Sequence, residues 1–209
     1  MSPRPYQLGR RQAEIDEGRR RMIDAAKALL AETTSYTAFT LDAVAKRADV
    51  ARATVYYQFG SKSGLLEALC DDLAASGKMG DLAQVFTTPD PLEAVHGFVA
   101  VFAQFWAADP IVMRRLRALA HLDPDVGAVI AARDDRNRQG LRVLLGRLVE
   151  HPGGLTPSRD PEVLVSVLHT RTSFETFDSL AGPNRTPTEV VPVVVALVDA
   201  ALEQTETAP

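Results

Sequence analysis

The sequence has only one cysteine and no long apolar run, and each of these features excludes some classes of protein. A single thiol, Cys70, excludes an internal disulfide and fits a reducing compartment. No stretch approaches the roughly 20 consecutive apolar residues of a membrane-spanning helix, because Pro192 and Asp199 interrupt the apolar segment 190–202. Residues 1–7 lack the apolar segment and cleavage site of a secretion signal. These absences predict a cytoplasmic protein with no membrane span.

The composition is that of a globular protein, but its charge is unevenly distributed. The 209 residues are 46% hydrophobic and 24% charged, which excludes disorder, collagen and coiled coil for most of the chain and allows one or two domains. Residues 1–62 contain eleven Lys and Arg against seven Asp and Glu, whereas residues 63–209 contain twelve against twenty. A basic segment on an acidic body is typical of a protein that places one end on a polyanion. A solvated basic helix end explains the count equally well.

Four Asp-Pro pairs predict helix starts in the second part of the chain. Asp accepts hydrogen bonds from the first free backbone N–H groups of a helix, and Pro fits the next position because it needs no acceptor there. Thr186 and Glu189 have the spacing of a capping box. Pro192 predicts a kink or a later start in the last helix. No strand pattern is present, so the predicted fold class is all-α, with helices at 91–107, 110–120, 124–150, 161–181 and 187–204.

The first part of the chain predicts a helix-turn-helix. Residues 21–31 place Met22, Ile23, Ala26, Leu29 and Leu30 on one stripe of an amphipathic helix. Thr40 can cap a short helix, and Asp49, a residue type that tolerates left-handed dihedrals, can form the tight turn after it. A second short helix follows at about 51–57. The predicted buried faces of the two short helices are Leu41, Val44, Ala45 and Ala48, and Val50, Val55 and Phe59.

This segment resembles the DNA-binding domain of the tetracycline-repressor (TetR) family. The resemblance spans residues 20–70 and is carried by the stretch from Thr40 to Lys62, which includes Thr54-Val-Tyr-Tyr-Gln-Phe, and by the following Leu65-Leu66. The chain departs from the family pattern at Asp49, where Gly is usual, and at Ala51, where a Ser or Thr cap is usual. The resemblance implies a helix-turn-helix domain at 19–62 and a helical effector-binding and dimerisation domain at 63–204, while composition predicts a flexible basic arm at 1–18 and a disordered tail at 205–209.

The resemblance also assigns DNA-binding roles, which the chemistry of the side chains supports. The second short helix would enter the major groove, where Arg suits guanine, Gln suits adenine and the Ala methyl suits thymine. Phosphate binders would position it without reading sequence. Tyr57 fits the core equally well, and the arginine-rich segment from Arg4 to Arg21 fits either a minor-groove arm or a solubilising tail. The predicted groove residues are Arg52, Ala53, Thr54, Tyr56 and Gln58, and the predicted phosphate binders are Thr40, Tyr56, Tyr57 and Lys62.

The remaining helices predict a homodimer that responds to a small molecule. The last two helices are apolar on more than one face, which predicts cover by a second subunit; the family pairs these helices in its dimers. A dimer presents two recognition helices to a near-palindromic DNA operator. The resemblance implies release from DNA by an effector, with repression as the usual output. Candidate effector contacts are Phe98, Phe102, Phe105, Trp106, Met113, Arg117, His121, Arg171, Phe174, Phe177 and Asp178.

Three other functions remain open from the sequence. Glu93 and His96 form one Glu-x-x-His pair, but a di-iron enzyme site in a helical bundle needs two. A redox-sensing regulator would use Cys70, which falls on an apolar helix face where a thiol is usually inert. An architectural protein would bind DNA without sequence choice. The sequence predicts no metal site, no cofactor and no enzymatic activity.

Overall fold

The computed structural model describes residues 4–32, 38–151 and 160–203, and within these ranges the chain is α-helical without a strand. The prediction of an all-α fold is therefore confirmed. The 3-10 turns Met79–Asp81 and Pro187–Val190 also lie within these ranges. The α-helices are α1 (Arg4–Glu32), α2 (Leu41–Arg47), α3 (Arg52–Phe59), α4 (Lys62–Ser76), α5 (Leu82–Thr87), α6 (Pro91–Ala108), α7 (Pro110–Ala120), α8 (Pro124–Glu150), α9 (Pro161–Arg171), α10 (Phe174–Ala181) and α11 (Val191–Glu203).

The chain divides into two compact units. The first contains Met1–Asp72 together with Arg115–Val129, and the second contains Leu73–Arg114 together with Ile130–Pro209. The segment 115–129 thus joins the N-terminal unit although it lies far along the chain. The functional boundaries drawn from the sequence, at 18/19 and 62/63, stay predictions.

In the first unit, α1 is longer than the sequence analysis expects. Its apolar stripe is buried at Met22, Ile23, Ala26 and Leu30, and the helix continues back to Arg4. Residues 4–18, which the sequence analysis places in a flexible arm, therefore form the first turns of α1. Arg, Gln, Glu and Ala, which make up about half of this segment, have high helix propensity, and extending a packed helix costs far less than nucleating a new one.

The helix-turn-helix forms as the sequence predicts. Thr40 caps α2 by accepting a hydrogen bond from the Ala43 N–H at 3.2 Å. Asp49 adopts φ 54°, the left-handed conformation of the tight turn. Ala51 has the extended backbone of an N-cap but no side chain that can cap α3. The buried face of the two helices includes Leu41, Val44, Ala45, Ala48 and Val55, while Val50 and Phe59 are half-buried.

The junction of α3 and α4 depends on two glycines. Gly60 ends α3 with φ 73°, a conformation that L side chains rarely adopt. A Cβ on Gly64 would overlap the carbonyl of Phe59. The absence of a side chain at Gly64 lets the first turn of α4, and with it Lys62, lie close against the end of α3.

All four Asp-Pro helix starts are confirmed. Asp90 accepts from the N–H groups of Leu92 and Glu93, and the other three aspartates also accept from backbone N–H groups of their own first turns. The capping box is present as well, since the Thr186 hydroxyl accepts from the Glu189 N–H and the Glu189 carboxylate accepts from the Thr186 N–H. The aspartates concerned are Asp90, Asp109, Asp123 and Asp160.

The two C-terminal helices differ from the prediction in different ways. The expected helix at 161–181 is wrong as a continuous element, because it breaks at Thr172 and Ser173 into α9 and α10. The Ser173 hydroxyl accepts from the Thr176 N–H at 3.3 Å and thereby caps a new helix. The last helix begins late, as Pro192 predicts: a 3-10 turn precedes α11. The tail at 205–209 lies outside the described residues.

None of the described helices alone has the length and hydropathy needed to cross a bilayer. Only α6 and α7 together, counted across the bend that separates them, reach those limits.

Candidate functional site

The outward face of α3 carries most of the predicted groove residues. Arg52, Ala53, Thr54 and Tyr56 are exposed, Gln58 is half-buried, and Val55 on the opposite side is fully buried. Tyr57 is 90% exposed, so the alternative that it belongs to the core is wrong. The helix therefore presents a polar, aromatic surface while a single valine anchors it to the domain.

Arg52 is held at the start of α3 by side chains from two helices. Its Nε lies 2.8 Å from Oδ1 of Asp42 on α2, and its Nη1 donates to Oδ2 at 3.1 Å. Its Nη2 donates to the Tyr56 hydroxyl at 3.1 Å, and Cζ lies 5.2 Å from the centroid of the Tyr56 ring. The Tyr56 hydrogen bond and the Asp42 charge raise the pKa of the Arg52 guanidinium further above its ordinary value.

An open cleft of about 460 Å³ lies beside this arginine in the first unit. It brings together four of the eight predicted DNA-binding residues, from the α2 cap, α3 and the start of α4. The other four, Ala53, Thr54, Tyr57 and Gln58, do not line it. The lining residues are Phe39, Thr40, Leu41, Asp42, Arg52, Tyr56, Gly60, Ser61 and Lys62.

Lys62, the first residue of α4, is paired with a carboxylate. Its Nζ lies 2.5 Å from Oδ2 of Asp123, and the two side chains are 23% and 21% exposed. The ammonium also lies 5.6 Å from the centre of the Phe39 ring. The hydrogen bond from Lys62, assisted by the backbone N–H groups at the start of α8, lowers the pKa of Asp123 below its usual value. A predicted phosphate binder thus has an intramolecular anion as partner.

Sequence reasoning missed Asp42 and Asp123 as members of this site. Asp123 is recognisable only as a helix cap, because 61 residues separate it from Lys62. Asp42 leaves a weak signal, since an acid in the first turn of one helix of a helix-turn-helix lies near the start of the next. In the arginine-rich segment from Arg4 to Arg21, Arg19 places its guanidinium carbon 4.8 Å from the centre of the Phe59 ring, so it contacts the end of α3 within the same unit.

In the second unit, the predicted effector aromatics form one ring cluster. Phe102 lies 4.5 Å from Phe98 and 5.7 Å from Trp106, measured between ring centroids, and Trp106 lies 4.5 Å from Phe105 and 5.7 Å from Phe174. Phe105 is half-buried and the others are buried. The structure therefore brings five of the predicted residues into mutual contact. Met113 and Phe177 are also buried.

The four predicted polar effector residues do not form one group. Arg117, which is half-buried, and His121, which is exposed, belong to the first unit. In the second unit, Asp178 accepts two hydrogen bonds from Arg114, at 3.1 Å from Nε and 2.5 Å from Nη2. The Nη1 atom of Arg171 is buried and has no acceptor within the described part of the chain.

The residues that suggested a di-iron enzyme or a redox sensor do not form a metal or redox site within the described part of the chain. His96 Nε2 lies 2.7 Å from Oδ1 of Asp199 on α11, so this imidazole pairs with a carboxylate of a distant helix. Within residues 4–32, 38–151 and 160–203, no three His, Cys, Asp or Glu side chains lie together as a metal ion would require. The Cys70 side chain is buried.

An apolar face is exposed on α9 and α11, two helices of the second unit that contact each other. Leu164, Leu168, Val194 and Val198 point inward and are buried. Other large apolar side chains of the same helices are exposed, and one of them, Val163, lines an open cleft of about 490 Å³ along α9. These exposed side chains are Val163, Val193 and Leu197.

Comparisons with known proteins match the helix-turn-helix region to a described family. Residues 22–69 match the profile described as "Bacterial regulatory proteins, tetR family". Over 112 residues the chain is 33% identical to the HTH-type transcriptional regulator AlkX of Mycobacterium tuberculosis, an alignment that covers 49% of this chain and 48% of AlkX. The chain therefore spans about half the length of this curated relative.

Solved structures share the fold over nearly the whole chain. A TetR transcription regulator from Haloarcula marismortui has a TM-score of 0.67 at 16% identity, covering 91% of this chain and 98% of its own. NalD of Pseudomonas aeruginosa, described as the secondary repressor of the MexAB-OprM multidrug efflux pump, has a TM-score of 0.69 at 17% identity over 91% and 98%. SmeT, solved as a complex with triclosan, has a TM-score of 0.68 at 20% identity over 92% and 95%. The chain is therefore TetR-like: its helix-turn-helix region matches the profile of the tetR family of bacterial regulatory proteins, and the chain shares the fold of these solved structures.

Proposed function

We propose that the chain is a cytoplasmic transcriptional repressor that binds a near-palindromic DNA operator as a homodimer and is released by a small-molecule effector. The exposed face of α3 carries this proposal: a buried Val55 holds the helix while the side chains of Arg52 and Tyr56 face outward. Such a face suits the major groove, into which a recognition helix fits. The chain then acts by binding, and no catalytic step is part of the proposal.

The proposed DNA contacts divide into base readers and phosphate binders. Arg52, Ala53, Thr54, Tyr56 and Gln58 meet base edges, because they lie on or beside the exposed side of α3. Phosphates are bound at the border of this face by Thr40, Tyr56, Tyr57 and Lys62. A lysine in such a position supplies part of the sequence-independent attraction on which specific contacts build.

Dimerisation uses the exposed apolar face of α9 and α11. A face of this kind on a DNA-binding protein marks an interaction surface when its apolar side chains adjoin. The partner is a second copy of this chain, because a near-palindromic operator requires two recognition helices about 34–36 Å apart.

The effector belongs to the helical second unit. The aromatic cluster around Trp106 supplies apolar and aromatic surface of the type that lines small-molecule sites, and Arg171 has a buried N–H group that a polar ligand can satisfy. SmeT, a structural relative, was solved with triclosan. To release DNA, the effector must bind the free form more tightly than the DNA-bound form, by about 1–3 kcal/mol in typical cases.

Selection from a pool of randomised DNA duplexes tests the proposal. The purified chain is expected to enrich a sequence with two related half-sites, and to bind that sequence far more tightly than random duplex at the same salt concentration. Equal affinity for all duplexes, falling steeply with salt in every case, would indicate an architectural DNA binder instead. No measurable binding to any duplex would reject the function altogether.

A further inference from the structure

We propose that Asp42 is a positioning residue for base recognition: it fixes the Arg52 guanidinium so that two unused hydrogens face a guanine edge. The proposal rests on the proposed function, in which α3 enters the major groove. Asp42 belongs to α2 and meets no base in that placement, so it acts through Arg52.

The hydrogen-bond pattern of Arg52 leaves one pair of donors available. Nη1 donates one hydrogen to Asp42 and Nη2 donates one to Tyr56. Each of these nitrogens carries two hydrogens, so within the described contacts one hydrogen on each remains. A guanine presents two acceptors in the major groove, O6 and N7, which a guanidinium binds with a pair of donors.

The contacts come from two directions and restrict the side chain. Asp42 holds the guanidinium from the neighbouring helix, and Tyr56 holds it from one turn along α3, with its ring 5.2 Å from Cζ. A free arginine samples many rotamers, and ordering it on binding costs affinity. Because both contacts exist before DNA binds, the entropy of ordering the Arg52 side chain is lost during folding and does not reduce the affinity for DNA.

The exposed location of the Asp42–Arg52 pair indicates that the pair orients the arginine and adds little to folding stability. Both side chains are exposed, and exposed ion pairs add little to folding. The pairing also neutralises the charge of Arg52, so this arginine contributes little to the attraction that all DNA sequences share. Its remaining contribution is to the preference for one base.

The test compares Asp42→Asn with Asp49→Asn in the full-length protein. Both variants remove one exposed negative charge from the same domain, but Asp49 occupies the left-handed turn, where Asn is equally tolerated. Each variant, wild type and Arg52→Ala select sites from the same pool of randomised duplexes, and affinities for the wild-type site and its single-base changes are measured at one salt concentration.

We expect Asp42→Asn to reduce discrimination by about two- to tenfold, and only at the base where Arg52→Ala loses it, the range that corresponds to ordering one long side chain. Asp49→Asn is expected to keep the wild-type preference at that base. In the double variant Asp42→Asn/Arg52→Ala, no loss beyond that of Arg52→Ala should follow, since the two residues act together.

Four outcomes overturn the proposal. Asp42→Asn with unchanged base preference shows that Asp42 does not position Arg52, and Asp42→Asn with sharper preference shows that it masks the arginine. If Arg52→Ala keeps the full wild-type base preference, Arg52 is not the residue that reads this base, although the proposed function stands. A wild type that selects no sequence rejects the proposed function and this inference together.

Discussion

In the proposed function, the Lys62 ammonium binds two anions in turn, a carboxylate of the chain and a DNA phosphate. Its ammonium is paired with Asp123 at 2.5 Å, and DNA phosphate must compete with that carboxylate. Replacing Lys62 by Ala removes one proposed phosphate contact per subunit. We expect weaker binding to every duplex and a salt dependence flatter by about one unit per subunit, as measured by fluorescence anisotropy across a salt series.

The variant Asp123→Asn distinguishes competition between Asp123 and DNA phosphate for Lys62 from a general effect of the net charge of the protein. Asn keeps a side-chain oxygen for capping α8 but releases Lys62, so affinity should rise by up to about fivefold per subunit, the scale of a partly exposed ion pair. The same change in a Lys62→Ala background should have no effect. An equal rise in both backgrounds would mean that Asp123 acts only through net charge.

The Asp123 pairing also predicts a pH dependence of stability. Its pKa lies below the ordinary value of 3.8 in the folded chain, so the folded state favours the ionised form. The stabilisation is fully present above pH 3.8 and is lost as pH falls through the lowered pKa. Urea unfolding from pH 6 to pH 2 should therefore show a difference between wild type and Asp123→Asn that is constant at the upper end and shrinks under acid. A difference independent of pH contradicts the assignment.

At the scale of helices, α3 lacks a side-chain cap. Ala51 has the extended backbone of an N-cap, φ −66° and ψ 144°, and the substitution Ala51→Ser adds an oxygen that can accept from a first-turn N–H. We expect a gain of about 1 kcal/mol in unfolding free energy, measured by urea denaturation followed by circular dichroism. The matched control is Ala53→Ser at the second residue of α3, two positions after the N-cap, which should give no gain. Equal effects of the two serines would refute the capping explanation.

Local signals predict helix starts well, because a cap depends on residues within one turn. The four Asp-Pro pairs and the Thr186 capping box needed no tertiary information. The break between α9 and α10 is different. Its freed Thr172 carbonyl accepts a hydrogen bond from the Trp106 indole at 3.0 Å, and a contact across 66 residues leaves no local pattern.

The candidate site divides in the same way. The exposed face of α3 follows from the helix-turn-helix pattern, because Val55 and Phe59 mark its inward side. The pairing of Lys62 with Asp123 does not follow, since the segment 115–129 joins the first unit only through packing. The length of α1 was also missed: a basic, proline-containing start suggests an arm, whereas the helix propensity of the following residues extends the packed helix.

At the scale of the whole molecule, the proposed function requires a dimer. A single recognition helix reaches one half-site, and joining two makes the second contact intramolecular, which raises affinity without any new contact. Leu197 on α11 is 37% exposed in the single chain, as expected for a side chain that a second subunit covers. The oligomeric state therefore bears directly on sequence-specific binding.

The substitution Leu197→Glu places an unpaired charge in that interface. Burying such a charge is costly, so we expect the dimer dissociation constant to rise by at least about a hundredfold, as measured by sedimentation equilibrium. Leu122→Glu is the control, because Leu122 is 59% exposed and belongs to the first unit; it should leave the dimer intact. The affinity of Leu197→Glu for a duplex with two half-sites should fall towards its affinity for a single half-site, because the two helix-turn-helix domains are no longer joined in one dimer. If Leu197→Glu still forms a dimer, the dimer interface does not include this part of α11. If the wild-type chain is a monomer with full operator affinity, a dimer is not required for sequence-specific binding.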